Sequence, residues 1–88
     1  MTFLATEEYW KNFYSLSPEQ KAATRAKWTV FKVDPFHPSL GTHKIHKLSA
    51  AMRRTVYSVV IEGNLRVIFR RDGDVVTTLD IGTHDLYR

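Results

Sequence analysis

Residues 56–81 read VYSVVIEGNLRVIFRRDGDVVTTLDI, and this stretch decides the fold. It contains three runs rich in β-branched residues, separated by the dipeptides Gly63-Asn64 and Asp72-Gly73. Such dipeptides accept positive φ and therefore favour tight hairpin turns. The stretch predicts a three-stranded antiparallel meander, with strands at Val56–Ile61, Leu65–Arg71 and Val75–Ile81.

Two-residue turns also predict which side chains share a face of this sheet. With Gly63-Asn64 as the first turn, Tyr57 lies opposite Arg70, and with Asp72-Gly73 as the second, Arg66 lies opposite Leu79. One face then carries Tyr57, Arg66 and Arg70. The other face carries the apolar residues Val60, Val67, Phe69 and Val76. Because arginine is rarely buried without a partner, we expect the apolar face to meet the helices and the arginine face to stay open or half covered.

The first half of the chain predicts a strand and a helical hairpin. Thr2–Ala5 is a short apolar run, and Thr6 with the acidic residues behind it suits a helix start. Ser17-Pro18-Glu19-Gln20 predicts a second start, because serine caps, proline fits the first helical position and Gln20 completes a capping box. This helix is predicted to run to about Val33, before Asp34-Pro35.

The predicted fold is α+β, in the order β-α-α-β-β-β, with a two-helix hairpin packed on one face of an antiparallel sheet. The second helix is predicted to carry small apolar residues along one side: Ala22, Ala26, Val30 and Val33. The block His43–Leu48 is predicted to lead into the meander as a loop or a short strand. Eighty-eight residues leave room for one core, so residues 1–88 are expected to form a single domain.

Positive charge is concentrated in the middle of the chain. The net charge is +4, yet residues 43–71 carry seven lysines and arginines against Glu62 alone. A basic segment between nearly neutral flanks is typical of a nucleic-acid binder. The alternative is a surface whose cations only aid solubility.

Several classes of protein are disfavoured. The chain has no cysteine, which excludes disulfides and thiolate metal sites and suits a reducing cytosol. No signal peptide and no membrane-spanning stretch is evident, so a cytoplasmic protein is expected. Two residues lie between His43 and His46, but no acidic or thiol residue stands at ligand spacing from them in the sequence. We expect neither a metal nor another cofactor.

Arg66 and Arg70 are the first candidates for chemistry. They project from one strand four residues apart, and a planar guanidinium donates two parallel hydrogen bonds to a phosphate. We therefore predict contact with a phosphate backbone. The alternative is a pair of solvated arginines bridged to Asp80 or Asp85.

The C-terminal segment GTHDLYR, residues 82–88, supplies two more candidates. Cleavage of RNA by its own 2′-hydroxyl needs a base, an acid and positive charge at the phosphorane. His84 suits proton transfer near neutral pH, and Tyr87 can donate or orient. A lone histidine is more often structural, and a polar cap on the last strand is the alternative interpretation.

The chain resembles the RelE/ParE superfamily of bacterial toxins from type II toxin–antitoxin systems, over about residues 34–88. The resemblance is carried by DPFHPSL at residues 34–40, YSV at 57–59, LRVIF at 65–69 and the terminal GTHDLYR. It favours the RelE-like and YafQ-like branch. That branch implies an endoribonuclease that cleaves mRNA on the ribosome without a metal and is neutralised by a cognate antitoxin.

The resemblance also implies residue roles. Arg66 matches the strand arginine used at the scissile phosphate, His84 a terminal histidine and Tyr87 a terminal aromatic residue. Where RelE has lysines along the strand, this chain has Ser58 and Val60. We expect cations elsewhere to bind the RNA phosphates instead: Lys44, Lys47, Arg53, Arg54 and Arg70. Two alternatives stay open, a ParE-like inhibitor of DNA gyrase and a catalytically silent module that only binds its antitoxin.

Overall fold

The computed structural model describes residues 1–52 and 54–83, and for residues 51 and 52 it describes the main chain alone. The strands are β1 (Thr2–Ala5), β2 (His43–Lys44), β3 (Val56–Glu62), β4 (Leu65–Asp72) and β5 (Val75–Thr83). The helices are α1 (Glu7–Tyr14), α2 (Pro18–Phe31) and α3 (His46–Met52), with a 3-10 turn at Pro38–Leu40. The predicted α+β class and the meander are confirmed.

The sheet has the strand order β1-β5-β4-β3-β2. β1 pairs with β5 in parallel, with Thr2 beside Val75 and Ala5 beside Thr78, and the other pairs are antiparallel. The predicted all-antiparallel sheet is therefore wrong in one respect. The first strand of the chain joins the last one through a long connection rather than a hairpin, and this connection permits the parallel direction.

The second turn lies one residue later than predicted. Asp72 pairs with Val75, so the turn is Gly73-Asp74, and Gly73 has a φ of 57° that suits its first position. An extra residue in β5, Leu79, shifts the register again, because Phe69 pairs with Thr78 and Ile68 pairs with Asp80. Arg70 consequently lies opposite Thr77, and Arg66 lies opposite Gly82 rather than Leu79.

Half of the predicted face assignment is wrong, because β3 contains a bulge. Val60 pairs with Arg66, but Glu62 pairs with Leu65, so one extra residue is inserted in β3. This single-residue shift exchanges the faces of Tyr57 and Val60, because side chains alternate along a strand. Tyr57 lies opposite Phe69 on the apolar face, and its ring stacks on Phe69 with 5.2 Å between centroids.

The helices α1 and α2 pack on that apolar face, as predicted. The buried residues of this main core come from both helices, the 3-10 turn and three strands: Tyr9, Phe13, Phe31, Leu40, Val59, Ile61, Leu65, Val67, Phe69, Val76 and Ile81. The capping box at Ser17 is present, with its hydroxyl accepting from the Gln20 amide at 3.2 Å. Arg66 and Arg70 lie on the opposite face, where their strand neighbours are Val60 and Val56.

Two predictions about the middle of the chain are confirmed only in part. α2 ends at Phe31, and its buried residues are Thr24 and Phe31; Val30 packs against the core, while Ala22, Ala26 and Val33 are exposed. The aromatic rings of Trp28 and Phe31 bury more area than alanines, so they set the packed side. The block His43–Leu48 includes the start of a helix as well as a strand.

That helix, α3, covers part of the arginine face. Ile45, Val56 and Ile68 form a second buried cluster there, with Leu48 and Leu79 packed against it. Ser49 joins α3 to the sheet, because its hydroxyl accepts from the Val56 amide at 2.9 Å. The arginine face is thus half covered, in its middle, between Arg66 and Arg70.

Candidate nucleic-acid interface

Arg66 and Arg70 stand at opposite ends of one strand segment. Four residues of strand separate their Cα atoms by about 13 Å. Ile68 lies between them and is buried under α3. The two guanidinium groups therefore present positive charge on either side of a small apolar cluster, rather than as one adjoining pair.

The Arg66 guanidinium lies against the first meander turn. Its Nη1 donates to the carbonyl oxygen of Gly63 at 2.7 Å and to that of Leu65 at 3.3 Å. These carbonyls orient the planar group but do not neutralise its charge. Thr83 pairs with Leu65 and Gly82 with Arg66, so β5 brings the chain to the Arg66 end of the sheet.

Arg70 belongs to a small ion cluster at the other end of β4. Its Nε lies 3.3 Å from Asp72 Oδ2, while Arg54 Nη1 donates to Asp72 Oδ1 at 2.9 Å. The Nε of Arg70 is buried and makes no hydrogen bond, so its contact with Asp72 is an ion pair only. Asp80, a predicted partner of the arginines, instead accepts from the side-chain amide of Asn12 at 2.6 Å and from the main-chain amide of Ile81 at 2.8 Å.

An open basic groove lies beside this cluster, between α3 and the second meander turn. Its volume is about 690 Å³, and its lining residues come from β2, α3, the loop before β3, β4 and the second meander turn: Lys44, His46, Ser49, Ala50, Arg54, Thr55, Arg71, Asp72 and Gly73. Three of these side chains are permanent cations and one is a carboxylate. The groove is open to solvent, as a surface that binds an extended polyanion must be.

The predicted cations are distributed around this groove. Lys44 and Arg54 line the groove. Arg70 does not line it but forms an ion pair with Asp72, which does. Lys47 is exposed on α3 without lining the groove. Arg53, His84 and Tyr87, and the suggested Asp85, lie outside the described residues.

Arg71 is the groove cation that sequence reasoning did not single out. Its guanidinium carbon lies 5.7 Å from the Phe36 ring centroid, and its Nε donates to the Gly73 carbonyl at 3.1 Å. The cation–π contact holds the side chain across the end of β4. The pair Arg70-Arg71 in the sequence could have indicated this second cation, because successive side chains of a strand point to opposite faces of the sheet.

Ser58 and Val60 stand at the positions where the resemblance implies lysines. Ser58 is fully buried, and Val60 is partly covered by Gly41. On β2, His43 pairs with Ser58, and Lys44 pairs with Tyr57. The positive charge of the groove is supplied from β2, from the loop before β3 and from the end of β4.

Two further properties of the described residues bear on the type of site. Over residues 1–52 and 54–83, no three histidine, aspartate or glutamate side chains cluster as a metal site. In the same part of the chain, no helix has the length and apolarity to cross a membrane.

Comparison with solved structures places the fold. A chain of the archaeal RelE–RelB complex from Pyrococcus horikoshii matches with a TM-score of 0.71 and 13% identity, covering 93% of this chain and 92% of that one. A copper-bound mutant toxin from Helicobacter pylori matches with a TM-score of 0.67 and 13% identity, covering 100% and 99%. A chain of the E. coli DinJ–YafQ complex matches with a TM-score of 0.65 and 10% identity, covering 96% and 93%.

These likenesses show the fold, which is that of RelE-type toxins from toxin–antitoxin systems. The expected RelE-like fold is confirmed. No protein-family model and no curated protein sequence matches the chain.

Proposed function

We propose that this chain is the toxin of a type II toxin–antitoxin system and inhibits translation by cleaving mRNA on the ribosome. The RelE-type fold supports the toxin role. The observation that carries the RNA target is the placement of Arg66 and Arg70 on the sheet face away from α1 and α2, with the basic groove at the Arg70 end.

In the proposed reaction, the 2′-hydroxyl of a ribose attacks the adjacent phosphorus. His84 takes the hydroxyl proton or gives a proton to the departing 5′-oxygen, water carries out the other proton transfer, and Tyr87 orients the reacting groups. Arg66 stabilises the extra negative charge of the phosphorane. The bond from phosphorus to the 5′-oxygen breaks, leaving a 2′,3′-cyclic phosphate and a free 5′-hydroxyl.

The remaining predicted cations are proposed to hold the RNA strand. Lys44 and Arg54 would contact phosphates in the groove, Arg70 would add charge beside them, and Lys47 and Arg53 would act from the neighbouring segment. Such contacts fix the position of the backbone and carry little sequence information. Recognition of particular codons would then depend on the ribosome and on the mRNA bound in it.

A cognate antitoxin is the proposed protein partner. Two of the structural neighbours are themselves complexes, RelE with RelB and YafQ with DinJ. In this chain an apolar groove between α1, α2 and β1 gives a partner a surface to fill.

Expression of the chain alone tests the proposal. Wild type should arrest growth and cut transcripts, which primer extension detects. Arg66→Ala and His84→Ala should each abolish cleavage while the circular dichroism spectrum and the thermal midpoint stay near those of wild type. Lys11→Ala, an exposed cation on α1, should keep full toxicity.

Each alternative predicts a different result. A gyrase inhibitor would induce the DNA-damage response, leave transcripts intact and tolerate His84→Ala. A silent module would leave growth unaffected when expressed alone. Either outcome would overturn the nuclease proposal.

A further inference from the structure

Among the described residues that line the basic groove, Asp72 alone carries a carboxylate. Its Oδ1 accepts from Arg54 Nη1 at 2.9 Å, and its Oδ2 lies 3.3 Å from Arg70 Nε. Each oxygen thus faces a different guanidinium group, as two oxygens of a phosphate do when two arginines bind it. The carboxylate therefore occupies a position between two arginines that suits a phosphate of an RNA backbone.

The ion pairs of Asp72 are open to solvent. The side chains of Arg54, Arg70 and Asp72 are 57%, 37% and 35% exposed. Ion pairs with this exposure contribute little to stability, because water and salt screen them. The contact with Arg70 includes no hydrogen bond, so its replacement by another anion gives up none. A phosphate that enters the groove can therefore displace the carboxylate at a small cost in free energy.

Main-chain contacts hold Arg54 and Arg70 at the groove independently of Asp72. The Arg54 amide donates to the Ser49 carbonyl at 3.2 Å, which fixes the main chain of Arg54 beside α3. Arg70 belongs to β4, where it pairs with Val56 of β3. Loss of the carboxylate would therefore change the direction of the two side chains and not their place. The larger effect of Asp72 on the groove is its negative charge.

We infer that Asp72 sets the affinity of the groove by competing with RNA phosphates for Arg54 and Arg70. In the free chain its carboxylate occupies both guanidinium groups, and RNA binding exchanges the carboxylate for a phosphate. The competition lowers the affinity for any polyanion, so tight binding requires a strand that also contacts the other cations of the groove. The inference deepens the proposed function and rests on it for the identity of the polyanion as RNA.

Removal of this charge should strengthen RNA binding for two reasons. The repulsion between the carboxylate and an incoming phosphate disappears, and Arg54 no longer has to give up a hydrogen bond. At the effective dielectric constant of a protein surface, one charge at close range changes an affinity about fivefold or more. This direction is the opposite of that expected if Asp72 served mainly to hold the arginines in a binding geometry.

Binding of an uncleavable RNA tests the inference on the purified chain. The probe is a short fluorescent single-stranded oligonucleotide with methylated 2′-hydroxyls, which prevents attack on the phosphate. Asp72→Asn should bind it about fivefold more tightly than wild type, and the slope of log affinity against log salt should steepen by about 0.7. Asp72→Glu, which keeps the charge, should bind it as wild type does.

Asp74 provides a matched control in the same turn. It is exposed, does not line the groove, and has no ion pair with a described residue. Asp74→Asn makes the same change in net charge and should alter the affinity by less than about twofold, because salt screens a more distant exposed charge. The thermal midpoints of all these variants should stay near that of wild type.

A double-mutant cycle separates exchange at Arg54 from simple repulsion. In a chain that carries Arg54→Ala, the added change Asp72→Asn should tighten binding less than it does in wild type, because the arginine that the carboxylate occupies is gone. Simple repulsion of the phosphate by Asp72 predicts the same gain in both chains.

Four results would overturn the inference: equal affinities of Asp72→Asn and Asp74→Asn, weaker binding by Asp72→Asn, an equal gain with and without Arg54, or no binding of the probe by any chain. The readout is binding without cleavage, so it is separate from the nuclease assay. A chain that gives the expected affinities and cuts no transcript would refute the proposed nuclease and support the inference. A chain that cuts transcripts and binds RNA equally well with Asp72→Asn would do the reverse.

Discussion

Asp72 accepts a hydrogen bond from Arg54 across the end of the sheet, with 2.9 Å between Oδ1 and Nη1. The two residues are 18 positions apart in sequence, and Asp72 also forms an ion pair with Arg70. One carboxylate therefore orients two guanidinium groups beside the basic groove and neutralises only part of their charge. Because this ion cluster is partly exposed, its contribution to stability is small, and its main effect is on the electrostatics of the groove.

The first prediction concerns RNA binding at this groove. Arg54→Ala should weaken binding of a single-stranded RNA oligonucleotide, because one phosphate contact is lost. The slope of log affinity against log salt should become shallower by about 0.7, the value for one contact to a single strand. Lys11→Ala, on α1, is the matched control and should leave the slope unchanged. Equal slopes for wild type and Arg54→Ala, measured by fluorescence anisotropy, would exclude a phosphate contact at Arg54.

The second prediction concerns Gly41, which ends the 3-10 turn with a φ of 57°. A Cβ at this position would lie 3.3 Å from Val60 Cγ2, whereas one at Gly63, with a φ of 48°, would meet open space. Gly63→Ala should cost about 1–2 kcal/mol for the left-handed backbone alone. Gly41→Ala should cost more, because Val60 must also move. Urea denaturation measures both, and equal losses would show that the Val60 contact adds nothing.

The third prediction tests the start of α2. Ser17→Ala should lower the free energy of unfolding by about 1 kcal/mol, because the Gln20 amide loses its capping acceptor. Ser15→Ala, at a hydroxyl that donates to the Asn12 carbonyl, should stay within about 0.5 kcal/mol. Thermal and urea unfolding of the two variants provide the measurement. A loss at Ser15 as large as that at Ser17 would contradict the capping role.

The fourth prediction concerns stability at alkaline pH. Burial raises the pKa of Tyr9 above its usual value of 10.0. The folded chain therefore keeps the phenol proton where the unfolded chain begins to lose it. Stability from this residue is present below pH 10 and is lost as pH rises through the raised pKa.

Tyr9→Phe should flatten that alkaline decline in the free energy of unfolding, measured by urea denaturation from pH 8 to 11. Tyr14→Phe, at an exposed position of the same helix, is the control and should leave the decline in place. An unaltered decline in the Tyr9 variant would show that another group is responsible.

Local sequence signals predicted most of the elements. The capping residues Thr6 and Ser17 fixed the starts of α1 and α2, and Gly63-Asn64 fixed the first turn of the meander. These features depend on main-chain preferences within a few residues, which the sequence contains directly. The helix α3 was missed because its seven residues include no capping signal, and its burial depends on Ile68 and Leu79, far away in the chain.

The faces of the sheet could be predicted only in part. Alternation placed Val67, Phe69, Arg66 and Arg70 correctly, because β4 is continuous over these residues. Tyr57 was assigned to the wrong face, because the bulge before Glu62 shifts β3 by one residue. Nothing in VVIE marks the bulge, which depends on how β3 fits its neighbours.

The sequence by itself determined the helix starts, the meander and the excess of positive charge between residues 43 and 71. Each of these follows from the chemistry of adjacent residues. Only the tertiary structure decided that Lys44, Arg54 and Arg71 share one groove and that the edge of β1 lies at the other side of the sheet. Those relationships join segments far apart in the chain, and they depend on the strand order and the two bulges.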